Sequence, residues 1–232
     1  MDQLTYQFLL FDLDNTLFNF NQAQDQALLE FLSEQGIAGD QIPAYVEYYV
    51  PLNHSLWKKL EAGLIEREEL INTRFALLFQ HFGQPAKGED LAAAYQVCMG
   101  RQGQLIEGAI DFLTACQKQN KRLFAISNGI SKIQRARLDH AKLNPYFEQI
   151  FISEEIGHVK PSKDFFTYVA SQISEYTNDQ ALVIGDSLSA DIQGALNAGI
   201  DCVWFNRLSK DKALTLPANY VVDNYSDLAK II

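Results

Sequence analysis

Paired histidines, a cysteine framework, a basic stripe and a long apolar run are all missing from this chain of 232 residues. His54, His81, His140 and His158 form no HxH or HxxxH pair, which excludes an ordinary zinc site. The three cysteines, Cys98, Cys116 and Cys202, are odd in number and lack framework spacing. They point to a reducing compartment, with Cys116 and Cys202 expected as small apolar groups of a core. The net charge of −10 leaves no basic surface of the kind that nucleic-acid binding needs. The apolar run near the N-terminus is too short for a membrane span or signal peptide, and only Asp2 carries charge before it. A cytoplasmic location without membrane contact is the resulting expectation. No GxGxxG follows the first apolar stretch and no P-loop occurs, which sets aside dinucleotide oxidoreductases and P-loop NTPases. Internal repeats and low-complexity segments are likewise missing.

What is present is an ordinary globular composition, 47% hydrophobic and 21% charged, organised around one stretch, FLLFDLDNTL, at Phe8 to Leu17. Four consecutive apolar residues, Phe8 to Phe11, read as a strand buried on both faces, as in a parallel sheet covered by helices. The strand runs straight into Asp12 and Asp14, then Thr16. Carboxylates this close repel, and desolvating them costs several kcal/mol unless a cation or hydrogen bonds compensate. A hard metal ion is the simplest compensation. The competing reading is an ordinary turn built on Asp12, Asp14, Asn15 and Thr16.

From about residue 21 to 104 the pattern is helical. Expected helices run over Gln22 to Gln35, Ile42 to Val50, Ser55 to Glu61, Arg67 to Phe82 and Asp90 to Met99, with Pro51, Gly63 and GQPAKG separating some of them. The second half alternates. Helices are expected over Ala109 to Gln119, Ser131 to Leu143 (with a basic face), Ser162 to Ile173 and Ser189 to Ala198, with Ser226 capping a last one. Strands are expected at Arg122 to Ser127, Gln149 to Ile152, Ala181 to Gly185, Cys202 to Phe205 and Tyr220 to Val222. This rhythm predicts an α/β fold, a doubly wound parallel sheet interrupted after its first strand by a helical insertion. Residues 1–17 and 105–232 form the expected core domain, and residues 18–104 the insertion.

In such sheets ligands bind outside the carboxyl ends of the strands. There the sequence places Asp12 and Asp14, then Ser127-Asn128-Gly129, then Asp186 with Asp191; Lys160-Pro161 precedes a helix. Carboxylates suit Mg²⁺, a hydroxyl with free backbone amides suits phosphate oxygens, and a lysine is a point charge for a transferring group. Singly, each has a plainer reading. Ser127-Asn128-Gly129 makes a strand-to-helix turn, Lys160 is a solvated residue before a helix, and one of the acids in GDSLSAD is an N-cap. Their order and placement together favour a phosphoryl site.

These residues resemble the signature motifs of the haloacid dehalogenase superfamily: Asp12-x-Asp14-x-Thr16, Ser127-Asn128, Lys160, and Gly185-Asp186 with Asp191. The resemblance spans the chain, and the insertion is similar to that superfamily's first type of helical cap. Asn53-x-x-Leu56-Trp57, Gly63-x-Ile65, Ser153-Glu154-Glu155-x-Gly157 and Val159-Lys160-Pro161 further resemble the pyrimidine 5′-nucleotidase (YjjG-type) group.

The resemblance implies a Rossmann-like core and a Mg²⁺-dependent phosphomonoester hydrolase working through an aspartyl-phosphate. Asp12 would be the nucleophile and Asp14 the acid and base. Asp12, the Asp14 carbonyl, Asp186 and Asp191 would serve the metal, and Thr16, Ser127, Asn128, Gly129 and Lys160 the phosphoryl group. Asn53, His54, Trp57 and Arg74 are candidates for meeting the leaving group. Trp57 either stacks on a base or packs within the cap. His158 lies near Lys160 in sequence with a surface role as the plainer reading, and Tyr45, Tyr48 and Tyr49 read as packing. The expected partner is a small phosphomonoester, with a monomer or weak homodimer as the assembly. Alternatives are a phosphatase for a sugar phosphate or phosphoglycolate, a phosphosugar mutase, and a non-catalytic module that keeps the fold for recognition.

Overall fold

In a computed structural model of the chain, residues 6–207 and 217–232 are described. β1 (Phe8–Phe11) is buried at every position, as its unbroken apolar run requires. β2 (Arg122–Ser127) and β4 (Ala181–Gly185) pair with it in parallel on either side, and β3 (Gln149–Ile152), β5 (Asp201–Phe205) and β6 (Tyr220–Val222) extend the sheet. The order is β3-β2-β1-β4-β5-β6, parallel throughout. This is the expected doubly wound α/β architecture.

Register decides what happens at the carboxyl ends. Phe11 lies opposite Ala125 on one side and Ile184 on the other. Asp12 is therefore level with Ile126 and Gly185, and Ser127 and Asp186 follow one residue on. The Asp12 amide still donates to the Ile184 carbonyl at 2.9 Å, so the ladder holds until the acid itself.

Two compact units divide the chain. The first comprises the described residues of Met1–Phe20, Gln104–Ser131 and Ala141–Ile232. Its core brings Phe8, Leu10, Phe124, Ile126, Val183 and Trp204 together with Phe165, Phe166 and Val169. Side chains of this size contribute about 1.5–3 kcal/mol each when fully buried. The fit is close: a Cβ added at Gly194 would meet the Phe166 ring at 2.5 Å.

The second unit comprises Asn21–Gly103 and Lys132–His140. It holds α1 (Phe20–Glu34) from its second residue on, α2 (Ile42–Glu61), α3 (Arg67–His81) and α4 (Gly88–Gly100). Pro51 does not separate two helices; α2 runs through it. The residues buried along α2 include Tyr45, Tyr49, Asn53, Leu56 and Leu60, one stripe at helical spacing that continues across the proline. Pro51 itself is exposed, so burial of the stripe outweighs the lost hydrogen bond. Aromatic rings form this unit's centre, with Phe75 stacked on Tyr49 and tilted against Phe31 and Tyr95 at centroid distances of 4.7–4.9 Å.

α5 (Ala109–Lys118) precedes β2, α6 (Ser131–His140) follows it, and α7 (Ser153–Ile156) and α8 (Lys163–Gln172) lie between β3 and β4. The basic face expected on α6 is only partly solvated. Arg137 is fully buried and donates to the Gln102 carbonyl at 2.9 Å, which ties most of α6 to the helical unit. The helix expected from Ser189 begins instead as one π-helical turn, Leu188–Ile192, before α9 (Gln193–Ala198). In the last helix, α10 (Tyr225–Leu228), Asn224 rather than Ser226 is the cap, accepting from the Asp227 amide at 2.8 Å. Cys116 and Cys202 are buried free thiols, as expected. Among the described residues no helix is long and apolar enough to cross a membrane.

Candidate active site

The loop after β1 is a tight coil around the two acids. Asn15 adopts φ 59°, a left-handed conformation that asparagine tolerates better than most residues. The coil closes through Leu17 and Phe18 amides donating to the Leu13 carbonyl at 2.9 and 2.8 Å. Thr16 is fully buried, and its carbonyl accepts from the Tyr225 hydroxyl at 2.6 Å. Asp14 is half-buried at the loop's edge.

Lys160 lies at the middle of the site, 1% exposed. Its ammonium donates to Asp12 Oδ1 at 2.8 Å, Asp191 Oδ1 at 2.7 Å and the Ile126 carbonyl at 2.9 Å. A lysine has three N–H donors, and all three are committed. Burial pulls its ammonium toward neutrality, but the two carboxylates more than reverse this and hold it above the ordinary lysine range.

The acids pull the other way. Asp12, Asp186 and Asp191 each bring a carboxylate oxygen within 4.8 Å of the others. Burial, followed by the neighbouring acids, pushes the Asp12 carboxyl up to about 7 even with Lys160 opposing it. Asp186 is driven well above the usual carboxylate range by burial and then by Asp12 and Asp191. Against these three acids Lys160 supplies one positive charge, and Asp12 Oδ2 is buried with no hydrogen-bond partner. An orphaned carboxylate oxygen inside a cluster of excess negative charge fits a divalent cation with a preference for oxygen ligands.

The arrangement depends on small details of the chain. Gly185 is required by contact rather than by backbone angle: a Cβ there would lie 2.3 Å from the Asp191 carboxylate. Asp191 reaches back over that gap to accept from the Ser187 amide at 3.0 Å. The π-helical turn after Ser187 carries it there, and such turns recur at functional sites. On the other side of β1, Ser127 Oγ accepts from the Gly129 amide at 3.0 Å. Ser127 is buried; Asn128 and Gly129 are half-buried.

Sequence reasoning missed several supports. Trp204 lies opposite Gly185 in the β4–β5 register, and its indole donates to the Asp186 carbonyl at 2.8 Å. A tryptophan in a strand that must be buried implies a partner for its N–H, which is the signal that pointed there. Tyr225 braces the Thr16 loop, and the Glu154 carboxylate accepts from the Ser131 amide at 2.5 Å, capping the start of α6.

The insertion residues sit within the helical unit. Asn53 is buried, its amide 3.4 Å from Gln24 Oε1 and its oxygen 3.3 Å from Arg74 Nη1. Arg74 is buried with its guanidinium over the Phe75 and Tyr95 rings at 4.9 and 5.2 Å. Trp57 is half-buried against the cluster of Leu56, Leu60 and Leu70, and His54 is exposed. Tyr45, Tyr48 and Tyr49 are in packing roles, the first two stacked on Phe82 and His81.

Comparison with known proteins agrees with this geometry. The pyrimidine 5′-nucleotidase PynA of Streptococcus pneumoniae is 46% identical over 96% of this chain and 93% of its own length. The pyrimidine 5′-nucleotidase YjjG of Escherichia coli is 28% identical over 99% of both chains. The crystal structure of the HAD-hydrolase YfnB from Bacillus subtilis, bound to magnesium, superimposes with a TM-score of 0.89 at 35% identity over 98% of each chain. The sequence profile of the haloacid dehalogenase-like hydrolases matches residues 9–205. With that match joined to the sheet order and the acid–lysine cluster, the chain belongs to the haloacid dehalogenase-like hydrolase family, and it is an enzyme of that family's phosphatase kind.

Proposed function

We propose that this enzyme is a Mg²⁺-dependent 5′-nucleotidase, hydrolysing pyrimidine nucleoside monophosphates through an acyl phosphate (aspartyl-phosphate) formed on Asp12. The observation that carries the reading is an excess of carboxylates, Asp12 and Asp191 buried and Asp186 half-buried, one of them holding an unpartnered oxygen, at the carboxyl ends of a parallel sheet. The named activities of PynA and YjjG support the choice of leaving group.

Asp12 attacks phosphorus in line, a P–O bond forms to its carboxylate, and the bond to the leaving nucleoside oxygen breaks. Asp14, at the half-buried edge of the loop, gives its proton to that oxygen. It then takes a proton from the water that attacks the phosphoryl group, and Asp12 is released as a carboxylate. Lys160 and Ser127 neutralise and orient the phosphoryl oxygens, with the Asn128–Gly129 turn beside them. Asp12, Asp186 and the Asp14 carbonyl would hold the cation with Asp191 in support. When bound, that ion supplies positive charge where negative charge accumulates on phosphate. Residues 18–104 act as a cap domain in this reading, with Asn53 and Trp57 meeting the nucleoside. The cytoplasm is the proposed location, and a monomer or weak homodimer the working form.

Inorganic phosphate release from a panel of nucleoside monophosphates and sugar phosphates tests the proposal, each run with Mg²⁺, with EDTA and with Asp12→Asn. The expected result is Mg²⁺-dependent release, fastest with pyrimidine monophosphates and abolished in Asp12→Asn. Faster turnover of a sugar phosphate would reject the nucleotidase assignment.

A further inference from the structure

Lys160 belongs to a loop between α7 and α8, away from any strand that would fix it. Its backbone is nevertheless held at both ends of the residue by one side chain. Asn128 Oδ1 accepts from the Lys160 amide at 2.9 Å, and Asn128 Nδ2 donates to the Lys160 carbonyl at 2.8 Å. Asn128 directly follows β2, whose last residue, Ser127, is paired in register with Ile152. The carboxamide thus transmits the position of the sheet to a loop 32 residues away. The same lysine spans from that clamp to Asp12, Asp191 and the Ile126 carbonyl.

We infer that Asn128 is a positioning residue that acts through Lys160, rather than a ligand of the phosphoryl group. A lysine stem is flexible, and its ammonium is useful only if the main chain beneath it is fixed. Two hydrogen bonds from one planar amide hold the peptide units on both sides of the Lys160 Cα. Misplacement of a charged group by about 1 Å can cost on the order of 100-fold in rate, whereas ground-state binding of the leaving group is untouched. This inference rests on the phosphatase reading for its kinetic arm only.

The kinetic arm is a double-mutant cycle between Asn128→Ala and Lys160→Gln, run with Mg²⁺ on the best substrate. Asn128→Ala is expected to lower kcat about 10- to 100-fold with KM changed less than about 3-fold, and to have less than about 2-fold effect once Lys160 is glutamine. Independent, additive losses, or a loss confined to KM, would overturn the inference. The second arm needs no activity. Acylation of Lys160 by an N-hydroxysuccinimide ester, read by peptide mass spectrometry, is expected to be slow in the native enzyme and at least about 10-fold faster in Asn128→Ala, since a loosened ammonium leaves its buried partners. Asn128→Leu, which keeps the volume and removes both hydrogen bonds, serves if the alanine variant does not fold. Unchanged Lys160 reactivity in a folded Asn128 variant would overturn the inference even where the substrate assignment stands. Faster labelling in an enzyme that releases no phosphate would uphold it while the substrate reading falls.

Discussion

At the scale of single residues, the site is held by contacts too short to tolerate additions. Gly185 has nothing between its Cα and the Asp191 carboxylate. In Gly185→Ala the new methyl group displaces Asp191 from Lys160 and from the Ser187 amide, so overpacking and a broken ion pair act together. The expected loss is about 1–3 kcal/mol in urea denaturation. A variant that unfolds at the native midpoint would contradict the placement of Asp191. Trp204→Phe removes one partly buried hydrogen bond while keeping an aromatic ring, and takes the indole donor from the Asp186 carbonyl. It should cost about 1–3 kcal/mol and weaken Mg²⁺ binding measured by calorimetry.

At the scale of elements, α2 and the turn before α9 show where local sequence signals yield to packing. Pro51 reads locally as a break, but the stripe from Tyr45 to Leu60 draws the helix through it. Since Pro51 is exposed and sits mid-helix, Pro51→Ala restores a backbone hydrogen bond without disturbing the stripe. Pro costs about 3 kcal/mol relative to Ala in a helix interior, so a rise of a few degrees in Tm is expected by calorimetry. An unchanged or lower Tm would mean that the proline shapes the helix in a way the stripe does not explain. The strands were legible because each is a short apolar run ending in a polar residue, and a parallel sheet buries both faces of such a run. The acids and Ser127 were legible for the same reason: they end such a run where nothing structural needs them, whereas Lys160, in a loop before α8, was legible only together with them. Arg137, Trp204, Tyr225 and Asn224 were not. Each works through a partner distant in sequence or through the backbone angle of a cap, and neither leaves a periodic trace.

For the whole molecule, net charge and site charge have the same sign, so the net field opposes an anionic substrate and a held cation offsets it locally. Binding of Mg²⁺ to the folded state alone adds about 2.7 kcal/mol at a concentration 100 times its dissociation constant. A clear upward shift of Tm with Mg²⁺ is expected, reversed by EDTA. Asp186→Asn should separate two effects of opposite sign. Removing one of three crowded carboxylates raises the Tm of the metal-free protein, while the Mg²⁺-induced shift shrinks or disappears. A full Mg²⁺ shift in Asp186→Asn would remove Asp186 from the metal set.

The saturated ammonium of Lys160 makes the site an exchange rather than a vacancy. With its three protons already committed, it meets an arriving oxyanion only by releasing one of its present acceptors. The Ile126 carbonyl is fixed in the strand, and Asp191 is held a second time by the Ser187 amide, which leaves Asp12 Oδ1 as the partner most readily given up. Under the proposed mechanism, substrate capture and unmasking of the nucleophile would become one event: the anion that displaces Asp12 from the lysine would be the one that Asp12 is freed to attack.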